Sequence, residues 1–411
     1  MRSNLKTGWN WWVEWLDSNT YLDVMQWSVY VFVILMYAGA LGTIKAIAFY
    51  VPASLWTIRL ILKKEAGFQW KDPLFILILL LTLSAIVSSL FSVNQAASLI
   101  SVKKSYLKVV FLYCIIATIF SDSTVLKRLS FVMACAGIAY VVFTFFELGR
   151  YLIKEGRIDY LKIRYFSTIM LFFFPFVFLR YIEGQGRKRV LWGIPTLASV
   201  IGLVVISVRA SWLAMIVVVA IWMYFLRTLF FKRFNIVPTT LIVTGLLIVT
   251  FLLFPSQYRL IRGHMSETIQ MTLRFAQWNV VLSMSKESLI YGHGFNERDA
   301  TANYLKTFNQ LYGRYPTKIE PTTAHNQLLT ILYQHGIIGL VLYAYMIWLA
   351  LSKLFKRIIS DGISSGSYVG IAIFSAIVGE YVLRTMFEDR NLIPLGVLLG
   401  MTGAFTSDMR K

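Results

Sequence analysis

Apolar stretches long enough to cross a hydrocarbon core, about 18 residues or more, follow one another along this chain almost without pause. In lipid every backbone N–H and C=O must be satisfied within the protein, which leaves helices or a closed barrel. The runs are continuous and show little period-two alternation, which argues against an outer-membrane barrel. The expected fold class is therefore all-α: a polytopic helical membrane protein with about 12 transmembrane helices and one large extracytoplasmic loop.

The spans read from the pattern are 27–44, 46–63, 73–92, 107–121, 129–152, 165–182, 190–208, 210–227, 236–255, 326–351, 367–387 and 391–407. Composition agrees. Charged residues make up 15%, against about 25% in soluble domains, and the mean hydropathy is +0.65. The net charge of +20 is explained by loops facing anionic lipid and phosphate-bearing substrates, without nucleic acid. Cys114 and Cys135 fall within apolar runs and read as core residues. The four histidines show no zinc spacing, so no metal or other cofactor is expected.

The domain reading has four parts. Residues 1–26 form an interfacial N-terminal segment, in which Trp9, Trp11, Trp12 and Trp15 stand among charges at headgroup level. Residues 27–255 hold the first nine spans, 256–324 a structured loop, and 325–411 the last three spans and a short tail. Loop charge sets the orientation. With a cytoplasmic N-terminus, cytoplasmic segments hold 20 Lys/Arg, and the other side holds 12 outside the long loop. Short segments carry the rule, so both termini are expected in the cytoplasm.

The loop 256–324 is the one long polar interruption. Ile269, Leu273, Ala276, Val280 and Met284 recur at helical spacing within it, and Gly292, Gly294 and Gly313 then break the pattern. At its end Pro321-Thr322-Thr323 reads as a helix start with a threonine N-cap, which places His325 in the first helical turn. Free N–H groups and the dipole there suit an anion and keep a histidine neutral, able to accept a proton. Arg209 stands between two apolar runs in Ser207-Val208-Arg209-Ala210-Ser211, and Arg274 on the loop helix is followed one turn on by Trp278. Arginine suits bidentate contacts to phosphate. Gly292-His293-Gly294 would let backbone approach a ligand, and Glu388-Asp389-Arg390-Asn391 between the last two spans would orient an acceptor. Each feature also fits a plainer role. His325 would be an interfacial capping histidine, Arg209 a snorkelling arginine, Arg274 a surface ion pair, the glycines a turn, and Arg390 part of an interhelical clasp.

Three of these motifs, in this order, resemble the O-antigen ligases and polymerases. Ser207-Val208-Arg209-Ala210-Ser211 is similar to the family's arginine motif. Arg274-x-x-x-Trp278 leading into Gly292-x-Gly294 resembles its loop-helix signature. His325-Asn326, followed after nine residues by Gly336-Ile337-Ile338-Gly339, is similar to its histidine motif. The resemblance covers roughly 190–350; the first six spans match only in hydropathy. It implies a metal-independent, inverting integral-membrane glycosyltransferase acting at the outer face of the cytoplasmic (inner) membrane. Its donor would be a glycan on undecaprenyl pyrophosphate. Its acceptor would be a sugar hydroxyl of lipid A–core in a ligase, or a lipid-linked repeat in a polymerase, where a chain-length regulator would be a partner. Arg209 and Arg274 would then stabilise the pyrophosphate and His325 would deprotonate the acceptor, with Asn326, Trp278, Gly292, Gly294 and Arg390 as substrate-binding residues. A protein O-glycosylating transferase and a secondary transporter are the remaining readings.

Overall fold

The computed structural model describes residues 15–16, 18–39, 41–63, 68–155, 160–206, 209–233, 267–313, 325–362, 364–386 and 391–407. These residues are helical, with no strand among them. In chain order the helices are α1 (Asn19–Leu35), α2 (Gly42–Lys63), α3 (Pro73–Leu90), α4 (Gln95–Ile119), α5 (Ser123–Glu155), α6 (Tyr160–Glu183), α7 (Arg187–Val205) and α8 (Arg209–Arg233). Then come α9 (Glu267–Glu287), α10 (Glu297–Tyr312), α11 (Gln327–Asp361), α12 (Ser365–Ile377) and α13 (Leu392–Thr406). A π-helical turn, Val378–Leu383, and a 3₁₀ turn, Arg384–Met386, follow α12.

Among the described residues, seven helices, α2, α3, α5, α6, α8, α11 and α12 with its π turn, are long and apolar enough to cross a membrane, and α13 is a shorter apolar helix. The protein is an integral membrane protein. Of the twelve expected spans, 236–255 lies outside the described residues, and each of the others has a helix at its position.

The bounds differ where caps decide them. Ser18 accepts a hydrogen bond from Tyr21 N–H and starts α1 well before the expected 27. Asn94 accepts from Ala97 N–H and starts α4 twelve residues before 107. Hydropathy marks where a helix enters lipid, whereas a capping side chain marks where the helix begins.

Inside the bundle the innermost elements are α6 and α13. α13 lies on α4, where Gly396, Gly400 and Gly403 leave no room for side chains: a Cβ on Gly400 would come within 2.8 Å of Ile116 Cβ. Small residues at such a crossing let backbones approach closely, the usual source of helix association in lipid. One ion pair joins two spans, and a second, within one segment, reaches another span by a hydrogen bond. Asp72, the N-cap of α3, accepts from Lys353 of α11 and Tyr113 of α4. Burial pushes the Asp72 carboxyl up, but the hydrogen bonds from Lys353 and Tyr113 and the Lys353 charge outweigh it and hold it below its ordinary value. Arg384, fully buried, donates to Glu380 Oε1 at 3.3 Å and to Ser167 Oγ of α6 at 2.6 Å. That pair stands on and beside the π turn, which packs against α8.

Asp72 and Lys353 fix one end of α3 and α11. At the other end Ser84 and Ser88 of α3 meet His335 and Gln334 near the start of α11. The two helices therefore run antiparallel, and the loop helices stand at the second end.

Candidate active site

At that end the chain builds a cap from α9, α10 and the first turns of α11. Its core is small and separate from the bundle: Val280, Val281 and Met284 of α9, Tyr304 and Phe308 of α10, and Tyr333 of α11. Asn296 starts α10 by accepting from Arg298 N–H, and Gly313 ends it at φ 77°. The expected loop helix and its glycine stops are thus present, with a second helix that periodicity did not single out.

α11 is not one helix but two. Gly336 breaks it at φ 70°, ψ −168°, a region of backbone space open almost only to glycine. The groups freed by the break are paired with the Gly292 loop. Ile337 N–H donates to Leu289 O at 2.8 Å, His293 N–H to Tyr333 O at 2.8 Å and Gly294 N–H to Gln334 O at 3.1 Å. Close approach explains the glycines: a Cβ on Gly292 would sit 2.4 Å from the Gln334 oxygen, and one on Gly294 2.7 Å from Ser98 Oγ. Both glycines face protein here, so packing accounts for them. The His293 ring stacks on Tyr333, and its Nε2 donates to Met284 O at 2.8 Å, tying the end of α9 to the same turn.

α9 and the first part of α11 descend side by side. Ala276 and Leu329 both pack on the cap core. Arg274 stands two residues before Ala276 on α9, and His325 four before Leu329 at the start of α11, so these two predicted residues belong to neighbouring elements. Trp278 is half-buried beside them, and its Nε1–H has no acceptor among the described residues.

One expectation at His325 is corrected. The N-cap is Asn326, not a threonine, and its side chain accepts from Leu328 N–H at 3.0 Å and Leu329 N–H at 3.2 Å. Thr330 N–H is taken by the Asn326 carbonyl. His325 therefore precedes the helix, and first-turn donors expected to serve an anion are used by the cap residue itself. Asparagine is among the strongest N-cap residues, ahead of threonine. His325 has a φ of 48°, the sole positive value for a non-glycine among the described residues. Strained backbone of this kind gathers at functional sites.

Arg209 is the first residue of α8. Residues 207–208 lie outside the described residues; Trp212 Nε1–H of α8 donates to the Leu203 carbonyl of α7 at 2.8 Å. Arg390, with Glu388 and Asp389, lies outside the described residues.

Residues 194–344 match the family model described as O-antigen ligase. That match supports membership in the O-antigen ligase and polymerase superfamily. The matched ligase region holds Arg209, Arg274, Trp278, Gly292, Gly294, His325 and Asn326, and it ends within α11. No curated protein matches the chain.

The sequence reading missed the polar floor beneath this ligase region. His335 is 1% exposed. Its Nδ1 is 2.8 Å from Ser84 Oγ, and its Nε2 is hydrogen-bonded to Tyr106 OH of α4. Beside it Ser88 Oγ donates to the Gln334 carbonyl and accepts from Gly294 N–H at 3.0 Å. Ser98 Oγ accepts from Phe295 N–H at 2.7 Å. Ser84 and Ser88 recur at helical spacing inside an apolar run, and that was the available signal.

Proposed function

We propose that this chain is a metal-independent, inverting glycosyltransferase. It moves a glycan from undecaprenyl pyrophosphate to a sugar hydroxyl at the outer face of the cytoplasmic membrane, in the manner of an O-antigen ligase with lipid A–core as acceptor. The observation that supports this is the family match over 194–344, the stretch that holds Arg209, Arg274 and His325. The acceptor O–H attacks C1 of the donor sugar as the bond from C1 to the pyrophosphate oxygen breaks. The proton passes to His325, and the electron pair leaves with the pyrophosphate, whose growing charge Arg209 and Arg274 stabilise. Fixed cations placed where charge develops are an effective way to speed such a departure. Attack opposite the leaving group inverts the anomeric centre. Trp278 Nε1–H serves as a further donor to the bound glycan. The same machinery acting on a lipid-linked repeat would be a polymerase, and the acceptor used by purified protein separates the two.

The test is His325→Ala and His325→Gln in membranes supplied with lipid-linked glycan. Both should lose on the order of 10²–10⁴ in rate, the size of a general-base contribution, while donor binding persists. An active glutamine variant would rule out His325 as the base, because an amide can hold the hydroxyl but cannot take its proton.

A further inference from the structure

We infer that His335 is a positioning residue that, together with the Ser88 and Ser98 hydrogen bonds, aligns the cap that carries Arg274 and His325 on α3 and α4. The inference rests on the proposed reaction for what the cap does, and on geometry alone for where the cap is held.

The break at Gly336 is the starting point. An unbroken helix would carry the first turns of α11 rigidly on the span beneath, whereas a residue at φ 70° does not transmit that direction. The backbone pairing of 333–337 with 289–294 joins the first turns to the rest of the cap and does little to fix the cap on α3 and α4. Orientation must come from side contacts to other spans. His335 reaches two of them, through Ser84 on α3 and Tyr106 on α4.

A neutral imidazole has one N–H and one lone pair, so one hydroxyl accepts from the ring and the other donates to it. Two bonds of opposite sense, in a site closed to water, hold the ring's direction as well as its place. Phe295, on the cap side, packs edge-on against the ring at 4.7 Å and 87°. Gly339 completes the arrangement: a Cβ there would fall 2.1 Å from His335 Cβ. A leucine in place of His335 would fill the same space. It would leave Ser84 and Tyr106 without that partner, and the cap would be held on α3 and α4 only by the Ser88 and Ser98 hydrogen bonds and the Phe91–Tyr291 stack.

The experiment compares wild type, His335→Leu, Tyr106→Phe and the double variant in native membranes, with His325→Ala alongside. For His335→Leu, kcat should fall ten- to hundred-fold, as expected when reacting groups are displaced by about 1 Å. KM for the lipid-linked donor should stay within about two-fold, because the loss is in alignment and not in binding. His335→Gln, which keeps one donor and one acceptor, should recover part of the rate. The double variant should be no slower than His335→Leu, since the bond that Tyr106→Phe removes is already lost in His335→Leu.

A second readout does not depend on activity. With Cys114 and Cys135 replaced by alanine, Phe91→Cys and Tyr291→Cys occupy two rings that stack at 5.0 Å between α3 and the cap loop. A short bis-maleimide should bridge them readily, and His335→Leu or Tyr106→Phe should slow that bridging several-fold. Full kcat in His335→Leu, or a double variant whose losses simply multiply, overturns the inference. So does unchanged bridging. If His325→Ala proves fully active, the proposed reaction fails, and the bridging rates alone still decide the role of His335. If His335→Leu is not recovered in membranes, Tyr106→Phe, which removes a single oxygen, carries both measurements.

Discussion

Replacing Gly336 with alanine should loosen the cap while leaving the bundle intact. Two costs add. The backbone there occupies a region that a residue with a Cβ adopts at a cost of about 1–3 kcal/mol. The new Cβ would also stand 2.2 Å from the Ile290 carbonyl oxygen, a backbone atom that cannot step aside like a side chain. Relieving that contact means drawing 289–294 away from 333–337, which weakens three backbone hydrogen bonds, each worth about 1 kcal/mol net. The sum is about 4–6 kcal/mol, confined to the pairing of the Gly292 loop with the break in α11. Gly149 provides the comparison: it lies within α5, and a Cβ added there would meet nothing within 4 Å. Alanine at Gly149 should therefore be neutral or gain about 0.5–1 kcal/mol in helix propensity. The assay is limited proteolysis of purified protein, reading cleavage within 288–296. Gly336→Ala should be cut at least 100-fold faster there, as a shift of about 3 kcal/mol or more in local opening requires, and Gly149→Ala should match wild type. Equal cleavage of the two variants would refute the account of α11 as a helix broken by necessity at Gly336.

Three further outcomes are expected. Arg209→Ala and Arg274→Ala should each reduce glycan transfer strongly with the protein still inserted, and lysine at either position should recover only part, because it keeps charge without the guanidinium fork; normal transfer by both alanine variants would remove the phosphate clamp. Single cysteines at Gln310 and Arg187 should label differently with an impermeant thiol reagent on spheroplasts, Gln310 reacting and Arg187 not; the reverse would invert the membrane orientation. Asp72→Asn should lower stability by about 2 kcal/mol, the scale of a charged hydrogen bond. Because the folded Asp72 value is depressed, its contribution is fully present above about pH 4 and is lost as pH falls further through the folded value. The gap between wild type and variant in thermal melts should therefore close only at strongly acid pH.

Local chemistry accounts for everything that was legible in the sequence without a structure. Long apolar runs cannot be anything but buried in lipid or protein, so a helix stands at each expected span within the described residues. Ile269 to Met284 announced α9 by their spacing alone. The order of Arg209, Arg274 and His325 along the chain was likewise enough to suggest the family that the match at 194–344 supports. Features that depend on partners distant in sequence waited for the tertiary structure. The N-cap at Asn326, in place of the threonines, is a local feature that the sequence pattern left open. Gly336 breaks a helix that hydropathy reads as continuous, because hydropathy does not register φ. His335 had no visible meaning in a row of apolar residues, since its partners Ser84 and Tyr106 are 251 and 229 positions away. Asp72 with Lys353, and Arg384 with Ser167, were hidden for the same reason. A polar group inside a membrane protein is explained by what satisfies it, and that is settled by packing.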